Sequence, residues 1–225
     1  MSRRREYHGF DKGVGFQMTY SIIALDPHRR MLGVATASGS IAVGSRVPWA
    51  MHSVGAVATQ AYTNPTLGPL ILSYLKRGFN AKEALQRALS EDPEPSMRQV
   101  AVITADGDKA VHNGSNIPNE KGYYIGDRCV SIANLVVSKR IPTEMCLVFE
   151  EIYRERGFIE ALITALEKAH ELGGDLRGDH SASIIVVGET IYGEYYDKII
   201  DIRIDYSLNP ISDLRKIYSY LNKEQ

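Results

Sequence analysis

The hydrophobic and polar positions of this chain fall into blocks of strands and helices. Residues 20–25 and 31–37 are apolar and rich in β-branched side chains, and an Asp-Pro turn joins them, so they predict a β-hairpin. The apolar runs 41–43 and 54–61 predict further strands. The second of these has small side chains on both faces, which is typical of a strand covered on both sides.

Two helices and then more strands follow. Apolar residues keep helical spacing up to Gly78, and Asn80 with Glu83 forms the pattern of a capping box at the start of a second helix. Asp106-Gly107 is a hairpin signal. Later elements are strands at 99–104, 109–113, 123–125, 129–137, 183–187 and 199–204, and helices starting at Thr143, Phe158 and Asn209-Pro210.

This order predicts the α+β class. Hairpins dominate within each strand block, so the sheets should be antiparallel, and helices arrive in pairs between the blocks. We therefore expect a four-layer αββα sandwich of two antiparallel sheets flanked by helix pairs. A Rossmann order is excluded, because strands and helices do not alternate singly and no GxGxxG follows a strand.

Composition narrows the classes of function. The chain has 225 residues and a net charge of -1, with its basic residues scattered, so we expect no nucleic-acid partner. It shows no transmembrane run and no signal peptide, which favours the cytoplasm and excludes a membrane partner. Cys129 and Cys146 lack metal-site spacing and are expected to be buried thiols, and no motif indicates a metal or a cofactor.

The first 17 residues have no hydrophobic periodicity. We interpret 1–17 as a disordered leader or a mis-called start, with translation beginning at Met18; a cleaved propeptide and an inert tail are the alternatives. Residues 18–225 form the single predicted domain.

Four blocks of sequence resemble domain-of-unknown-function family 1028. They are Thr-Tyr-Ser-Ile-Ile-Ala at 19–24, Val-Gly-Ser-Arg-Val-Pro-Trp-Ala at 43–50, Gly-Ala-Val-Ala-Thr-Gln-Ala-Tyr-Thr-Asn-Pro at 55–65, and Gly-Asp-Leu-Arg-Gly-Asp-His-Ser-Ala at 174–182. The resemblance implies membership of the N-terminal-nucleophile (Ntn) hydrolases and their αββα sandwich, without a known substrate. The chain departs from the family at His180, where the family usually has Gln, and before Asn134.

Thr19 is the candidate nucleophile, since the resemblance implies an Ntn enzyme, and such enzymes place a Thr, Ser or Cys at the mature N-terminus, where a strand fixes its position. Removal of Met18 would give Thr19 a free α-amine, which can take the proton from its own hydroxyl. The plain structural alternative is that Thr19 merely begins a strand. Ser21 lies on the same strand face and is a second candidate, but it would need another base.

The polar loop at 173–181 supplies the other candidate catalytic residues. Asp175, Arg177 and Ser181 are expected to orient the amine or the substrate, with Arg177 able to bind a substrate carboxylate. The alternative is a helix end followed by a structural ion pair of Asp175 with Arg177 or Arg46.

Candidate substrate-binding residues are Arg46, Gln60, Asn64 and His180. Gln60 and Asn64 lie where a strand leads into a helix and can donate to a developing oxyanion. The alternative is simple helix capping by Asn64 or Thr66. Arg46 stays charged and can hold a carboxylate, but it cannot act as a base.

These residues favour hydrolysis of a C–N amide bond in a small-molecule or short peptide-like substrate. The rival hypothesis is a non-catalytic binding or assembly protein on the same fold. A third hypothesis is a metal hydrolase using His180, Asp179 and Asp175, although a second convincing histidine is missing nearby. A homo-oligomer is expected in either of the first two cases, because helix layers of such sandwiches pack together.

Overall fold

The computed structural model of the protein describes residues 18–118 and 120–223, and the predicted leader at 1–17 lies outside the described residues. The strands are β1 (Thr19–Asp26), β2 (Met31–Ser38), β3 (Pro48–Met51), β4 (Gly55–Ala61), β5 (Arg98–Thr104), β6 (Lys109–Asn113), β7 (Lys121–Ile125), β8 (Cys129–Asn134), β9 (Ser181–Val187) and β10 (Lys198–Ile204). The helices are α1 (Leu67–Lys76), α2 (Ala81–Glu91), α3 (Ile141–Arg156), α4 (Phe158–Glu171) and α5 (Pro210–Leu221).

The strands form two sheets. The larger has the order β10-β9-β2-β1-β8-β7 and the smaller the order β3-β4-β5-β6. Every pair of neighbouring strands is antiparallel. β1, which begins at Thr19, lies inside the larger sheet between β2 and β8, so both of its edges are hydrogen-bonded and its position is tightly fixed.

Helices cover the outer face of each sheet. α1 and α2 pack on the smaller sheet, and α3, α4 and α5 pack on the larger one. The two inner faces meet in a central apolar layer that includes Ile23, Val34, Ala58 and Ile103. The predicted α+β sandwich of two antiparallel sheets between helix layers is confirmed, except that α5 makes the second layer a set of three helices and not a pair.

Local sequence signals account for the start of α2 and for the β1–β2 turn. The Asn80 side chain accepts a hydrogen bond from the Glu83 backbone N–H at 2.9 Å, and the Glu83 carboxylate accepts one from the Asn80 backbone N–H, so the capping box is present. Asp26 caps the β1–β2 turn by accepting from the backbone N–H groups of His28 and Arg29.

The segment between β2 and β4 differs from the prediction. The apolar run 41–43, which predicts a strand, leads into a 3-10 turn at Val43–Ser45, and β3 begins at Pro48, where the hydrophobic pattern contains no strand signal. Pro48 is tolerated because it is the first residue of an edge strand, where no ladder partner is needed on one side. Trp49 of β3 packs closely on Gly68 of α1.

Two further expectations concern the cysteines and the membrane. Cys129 on β8 and Cys146 on α3 are both free and buried, as predicted. Among residues 18–118 and 120–223, no helix is long and apolar enough to cross a membrane.

Candidate functional site

One end of the layer between the sheets is polar, although the rest of that layer is apolar. Strand alternation sends every second residue into the layer, and at this end those positions hold hydroxyl and amide side chains with little or no solvent exposure. We call this set the inter-sheet polar cluster; its members are Thr19, Ser21, Thr36, Ser38, Gln60, Gln99 and Asn134. Because buried polar groups are costly unless they are paired, such a cluster is a candidate functional site.

Thr19 is the first residue of β1 and lies at the centre of this cluster. It stands opposite Ser38 on one side and Asn134 on the other. Its Oγ1 donates to Ser38 Oγ at 3.2 Å, and Ser38 Oγ in turn donates to the Met18 carbonyl at 2.5 Å. The Thr19 carbonyl accepts from Gln60 Nε2 at 3.0 Å. Thr19 is fully buried in the chain that carries Met18.

Ser21, the second candidate nucleophile, lies two residues further along β1. Its Oγ donates to Gln60 Oε1 at 2.6 Å and lies 2.8 Å from Thr36 Oγ1. Neither of these two groups is a base of useful strength at neutral pH, so the geometry gives Ser21 no activating partner among the described residues.

Three side-chain amides connect the two sheets behind Thr19. Gln60 Nε2 donates to Gln99 Oε1 at 2.8 Å, and Asn134 Nδ2 donates to the same oxygen at 3.1 Å. The two N–H groups of Gln60 are thus used by Gln99 and by the Thr19 carbonyl. Gln60 is brought to Thr19 as predicted, but in this state it has no N–H left for an oxyanion.

Within the inter-sheet polar cluster, Asn134 has a side-chain atom without a hydrogen-bond partner among the described residues. This atom, Oδ1, is buried. An unpaired buried acceptor next to a buried hydroxyl costs free energy and marks a position where a ligand donor or a water would be favourable. Ser38, Gln99 and Asn134 were not among the site residues predicted from the sequence, although each is a polar residue at an inward position of a buried strand, which is the signal that identifies them.

The loop at 173–181 docks on the chain that leaves β2. Asp175 is buried and accepts from the Gly39 backbone N–H at 2.5 Å and from Arg177 Nη2 at 3.2 Å. Arg177 Nη2 also donates to Ser40 Oγ at 3.2 Å, and its side chain keeps 39 % of its surface exposed. The ion pair expected between Asp175 and Arg177 is therefore present, and it holds the loop.

The end of the same loop enters β9. Ser181 Oγ donates to the Ser40 carbonyl at 2.5 Å and accepts from the Val43 backbone N–H at 3.1 Å. The His180 backbone N–H donates to the Ser38 carbonyl at 2.8 Å, and its Nδ1 donates to the Gly39 carbonyl at 3.0 Å. Asp175, Arg177, His180 and Ser181 are thus assembled around residues 38–40, one strand from Thr19.

Asp179 connects the loop at 173–181 to β1 and α4. It accepts from the Tyr20 hydroxyl at 2.8 Å and from His170 Nδ1 at 2.7 Å. Burial and then the Asp179 carboxylate raise the pKa of Tyr20 well above its ordinary value of 10.0, so Tyr20 is a neutral donor. Because Asp175 and Asp179 already have these partners, and no group of three ligand-type residues is found in the described part of the chain, the metal-hydrolase hypothesis has no geometric support.

The side-chain hydrogen bonds of Asn64 and Arg46 go to residues outside the inter-sheet polar cluster. Asn64 Oδ1 accepts from the Thr66 backbone N–H, and its Nδ2 donates to Asp92 Oδ2 at 2.8 Å. These bonds hold the turn before α1, whose N-cap residue is Thr66 and which has no side-chain capping bond, so Asn64 does not cap the helix. Arg46 Nη2 donates to the Ile41 carbonyl at 3.0 Å, and burial lowers its pKa. Its buried Nε has no partner among the described residues.

Comparison with known proteins gives a family and a structural relative. The model of the family of unknown function DUF1028 matches residues 19–214. No curated protein matches the chain. The crystal structure of protein SPO2555 from Silicibacter pomeroyi, described as a DUF1028 protein, is 27% identical over 90% of this chain and 88% of that one, with a TM-score of 0.80. The family model covers most of the chain, including Thr19 and the loop at 173–181, and the chain therefore belongs to the DUF1028 family.

Proposed function

We propose that this protein is an amide hydrolase of the Ntn type, in which Thr19 attacks a C–N amide bond of a small or peptide-like substrate. The observation that carries the proposal is the position of Thr19. It is the first residue of an interior strand, and its side chain points into the polar end of the layer between two sheets. A nucleophile held by strands on both sides is positioned without further ordering.

The reaction requires a free α-amine on Thr19. The amine takes the proton from Oγ1 as that oxygen attacks the substrate carbonyl carbon, and the proton then passes to the leaving nitrogen as the C–N bond breaks. Water hydrolyses the resulting ester on Thr19 and regenerates the hydroxyl. Met18 must therefore be removed, either as an initiator methionine or together with the residues before it.

Neighbouring groups supply the supporting roles. Ser38 Oγ, which donates to the Met18 carbonyl in the uncut chain, is left beside the new amine once that carbonyl is gone. Arg177 is partly exposed and one loop away, so its guanidinium can bind a carboxylate of the substrate. Asp175 accepts hydrogen bonds from Arg177 and from the Gly39 backbone N–H, which makes it a positioning residue in this scheme.

A second candidate function is a non-catalytic binding or assembly role. Full burial of Thr19 and the commitment of both Gln60 N–H groups within the protein favour this candidate. In that case the inter-sheet polar cluster would serve to fix the register of the two sheets.

The test compares a chain translated from Met18, whose methionine is removed in the cell, with the chain translated from Met1. Each is incubated with a β-lactone probe, in which Thr19 Oγ1 opens the lactone ring and gains its acyl group. Intact mass and peptide mapping then locate the adduct. The variant Thr19→Ala removes the nucleophile, Thr19→Ser keeps a hydroxyl, and Thr59→Ala is a matched control, since Thr59 is an equally buried threonine on the other sheet.

The proposal expects an adduct on Thr19 in the shorter chain and in the Thr59→Ala control, a reduced adduct on Ser in Thr19→Ser, and none in Thr19→Ala or the longer chain. For any amide that the shorter chain hydrolyses, Thr19→Ala should lower kcat by at least about 1,000-fold. Labelling of the shorter chain elsewhere, or none at all, would overturn the proposal and favour the binding role.

A further inference from the structure

One edge of the larger sheet is open. β10 is its outermost strand, hydrogen-bonded to β9 on one side, with no further strand beyond it in the described part of the chain. An open edge is a template for pairing with another strand. Charged side chains of alternating sign follow this edge, namely Lys198, Asp201, Arg203 and, just after the strand, Asp205.

Exposed apolar side chains lie at both ends of β10. The turn before the strand carries four large ones, Ile191, Tyr192, Tyr195 and Tyr196, of which Ile191 and Tyr195 are more than 90% exposed. The segment after the strand carries Tyr206, 65% exposed, and Leu208, 75% exposed. Apolar groups exposed to this extent in one region usually mark an interaction surface.

We propose that β10 pairs antiparallel with β10 of a second copy of this chain, with the two-fold axis at Ile202. Residues that oppose each other in an antiparallel pair point to the same face of the sheet, and side chains along one strand alternate between the two faces. In a symmetric pair the two-fold axis must therefore pass through a residue and not between two residues. With the axis at Ile202, Asp201 of each copy faces Arg203 of the other, twice in the same dimer. Opposite charges in direct cross-strand positions stabilise such a pair.

The adjacent registers are disfavoured by charge. An axis at Asp201 places the two Asp201 carboxylates opposite each other, and an axis at Arg203 does the same for the two guanidinium groups. An axis at Ile200 would run the pairing across the irregularity between Lys198 and Ile200. An axis at Ile204 would also oppose Arg203 with Asp205, but it would pair residues 198–203 with residues beyond the end of the strand. The charges and the extent of β10 together therefore select one self-complementary register.

The apolar ends fit the same arrangement. Tyr196 and Leu208 are equally far along the chain from Ile202, roughly 20 Å in extended geometry. Antiparallel pairing therefore brings the exposed turn before β10 in one copy beside the exposed segment after β10 in the other. Tyr206 of that segment contacts His180, with ring centroids 6.0 Å apart, so the second copy would lie next to the loop at 173–181. Such a dimer does not depend on the proposed hydrolase activity.

Arg203 already contacts Asp205 of its own chain, with Nη2 2.9 Å from Oδ1. A guanidinium group has five N–H donors, so this contact leaves donors for a second carboxylate. Asp201 likewise contacts only Lys198 among the described ion pairs that involve it, and both side chains of the Asp201–Lys198 pair are partly exposed.

The experiment uses sedimentation velocity on the full chain and two single variants, Asp201→Arg and Arg203→Asp. A homodimer of the first would oppose arginines, and a homodimer of the second would oppose aspartates. A mixture of the two restores both opposite-charge pairs in a heterodimer. Asp127→Arg is the matched control, because Asp127 is an exposed acidic residue in the β7–β8 turn, on another strand pair.

The proposal expects a dimer for the wild-type chain and for Asp127→Arg. Each single variant should dimerise at least about tenfold more weakly, and the equimolar mixture should recover the dimer. Circular dichroism of each variant verifies that it is folded. A monomeric wild-type chain, single variants that dimerise like the wild type, or a mixture that stays monomeric would each overturn the proposal.

Discussion

Thr19 and Ser38 face each other across the β1–β2 pair, with their hydroxyl oxygens 3.2 Å apart, and Ser38 faces Ser181 on the next strand. Three hydroxyls on three adjacent strands thus form one row across the sheet. The loop at 173–181 docks on the residues that follow Ser38, so the row joins the candidate nucleophile to the candidate substrate-binding loop. Movement of Ser38 would affect both.

The amide of Gln99 is expected to be the main stabilising member of the inter-sheet polar cluster. Gln99→Leu removes the acceptor of Gln60 and Asn134 and leaves their buried N–H groups unpaired. We expect a loss of about 2–4 kcal/mol in the free energy of unfolding. Urea unfolding measures it, with Gln86→Leu on the exposed face of α2 as the control. Equal stability of the two variants would show that the cluster relaxes around the change.

The hydrogen bond between Tyr20 and Asp179 predicts a dependence of stability on alkaline pH. The folded-state pKa of Tyr20 lies well above its unfolded value of about 10, so the stabilisation is complete below pH 10 and is lost as the pH rises from there towards the folded pKa. Tyr20→Phe should flatten this part of the profile.

Unfolding by urea between about pH 9 and pH 11 checks the prediction for Tyr20. At neutral pH, Tyr20→Phe should cost about 1–2 kcal/mol, because Asp179 keeps His170 as a donor. Tyr206→Phe, at an exposed tyrosine, is the control and should leave the profile unchanged. Parallel profiles for the wild type and Tyr20→Phe would contradict the assignment.

The ion pair of Asp175 and Arg177 should show unequal effects of its two members. Asp175→Ala removes the acceptor of the Gly39 N–H and the carboxylate partner of Arg177, and it should cost about 2–4 kcal/mol. Arg177→Ala removes a partly exposed group and should cost about 1 kcal/mol. Thermal unfolding of the two variants gives the comparison, and a larger loss for Arg177→Ala would show that the guanidinium carries the loop.

The ring of Trp49 lies so close to Gly68 that a larger residue at position 68 should not fit without displacing the ring. A Cβ at Gly68 would lie 2.1 Å from Trp49 Cδ1, whereas a Cβ at Gly122 would make an ordinary contact of 3.5 Å with Pro142. Gly68→Ala should therefore displace Trp49 and cost about 1–3 kcal/mol, although helix propensity alone would favour alanine by about 1 kcal/mol. Trp49 is the single tryptophan of the chain, so its fluorescence reports the displacement directly.

Gly122→Ala is the control for Gly68→Ala, because it adds the same methyl group without overlap. It should leave the tryptophan fluorescence unchanged and stability within about 0.5 kcal/mol. Unchanged fluorescence in Gly68→Ala would mean that α1 and β3 separate easily at this contact.

The sequence by itself determined the order of strands and helices, the antiparallel sheets and the layered sandwich. These follow from hydrophobic periodicity and from turn and capping residues, such as Asn80 with Glu83, that act over a few positions. It also identified Thr19, Gln60 and the loop at 173–181 as candidates. The sequence could place Gln60 near the end of its strand. It could not predict the hydrogen-bond partners of its N–H groups, since these partners are far away in the chain.

Only the tertiary structure decided which residues meet. The alignment of Thr19, Ser38 and Ser181 depends on strand register, and the assembly of Gln60, Gln99 and Asn134 depends on the packing of one sheet on the other. Asn64 looked equivalent to Gln60 in the sequence, yet its side chain bonds to Thr66 and Asp92 at the turn before α1, because strand alternation ends before it. Periodicity specifies which face a residue occupies, whereas long-range pairing specifies its neighbours, and the candidate site is built from those neighbours.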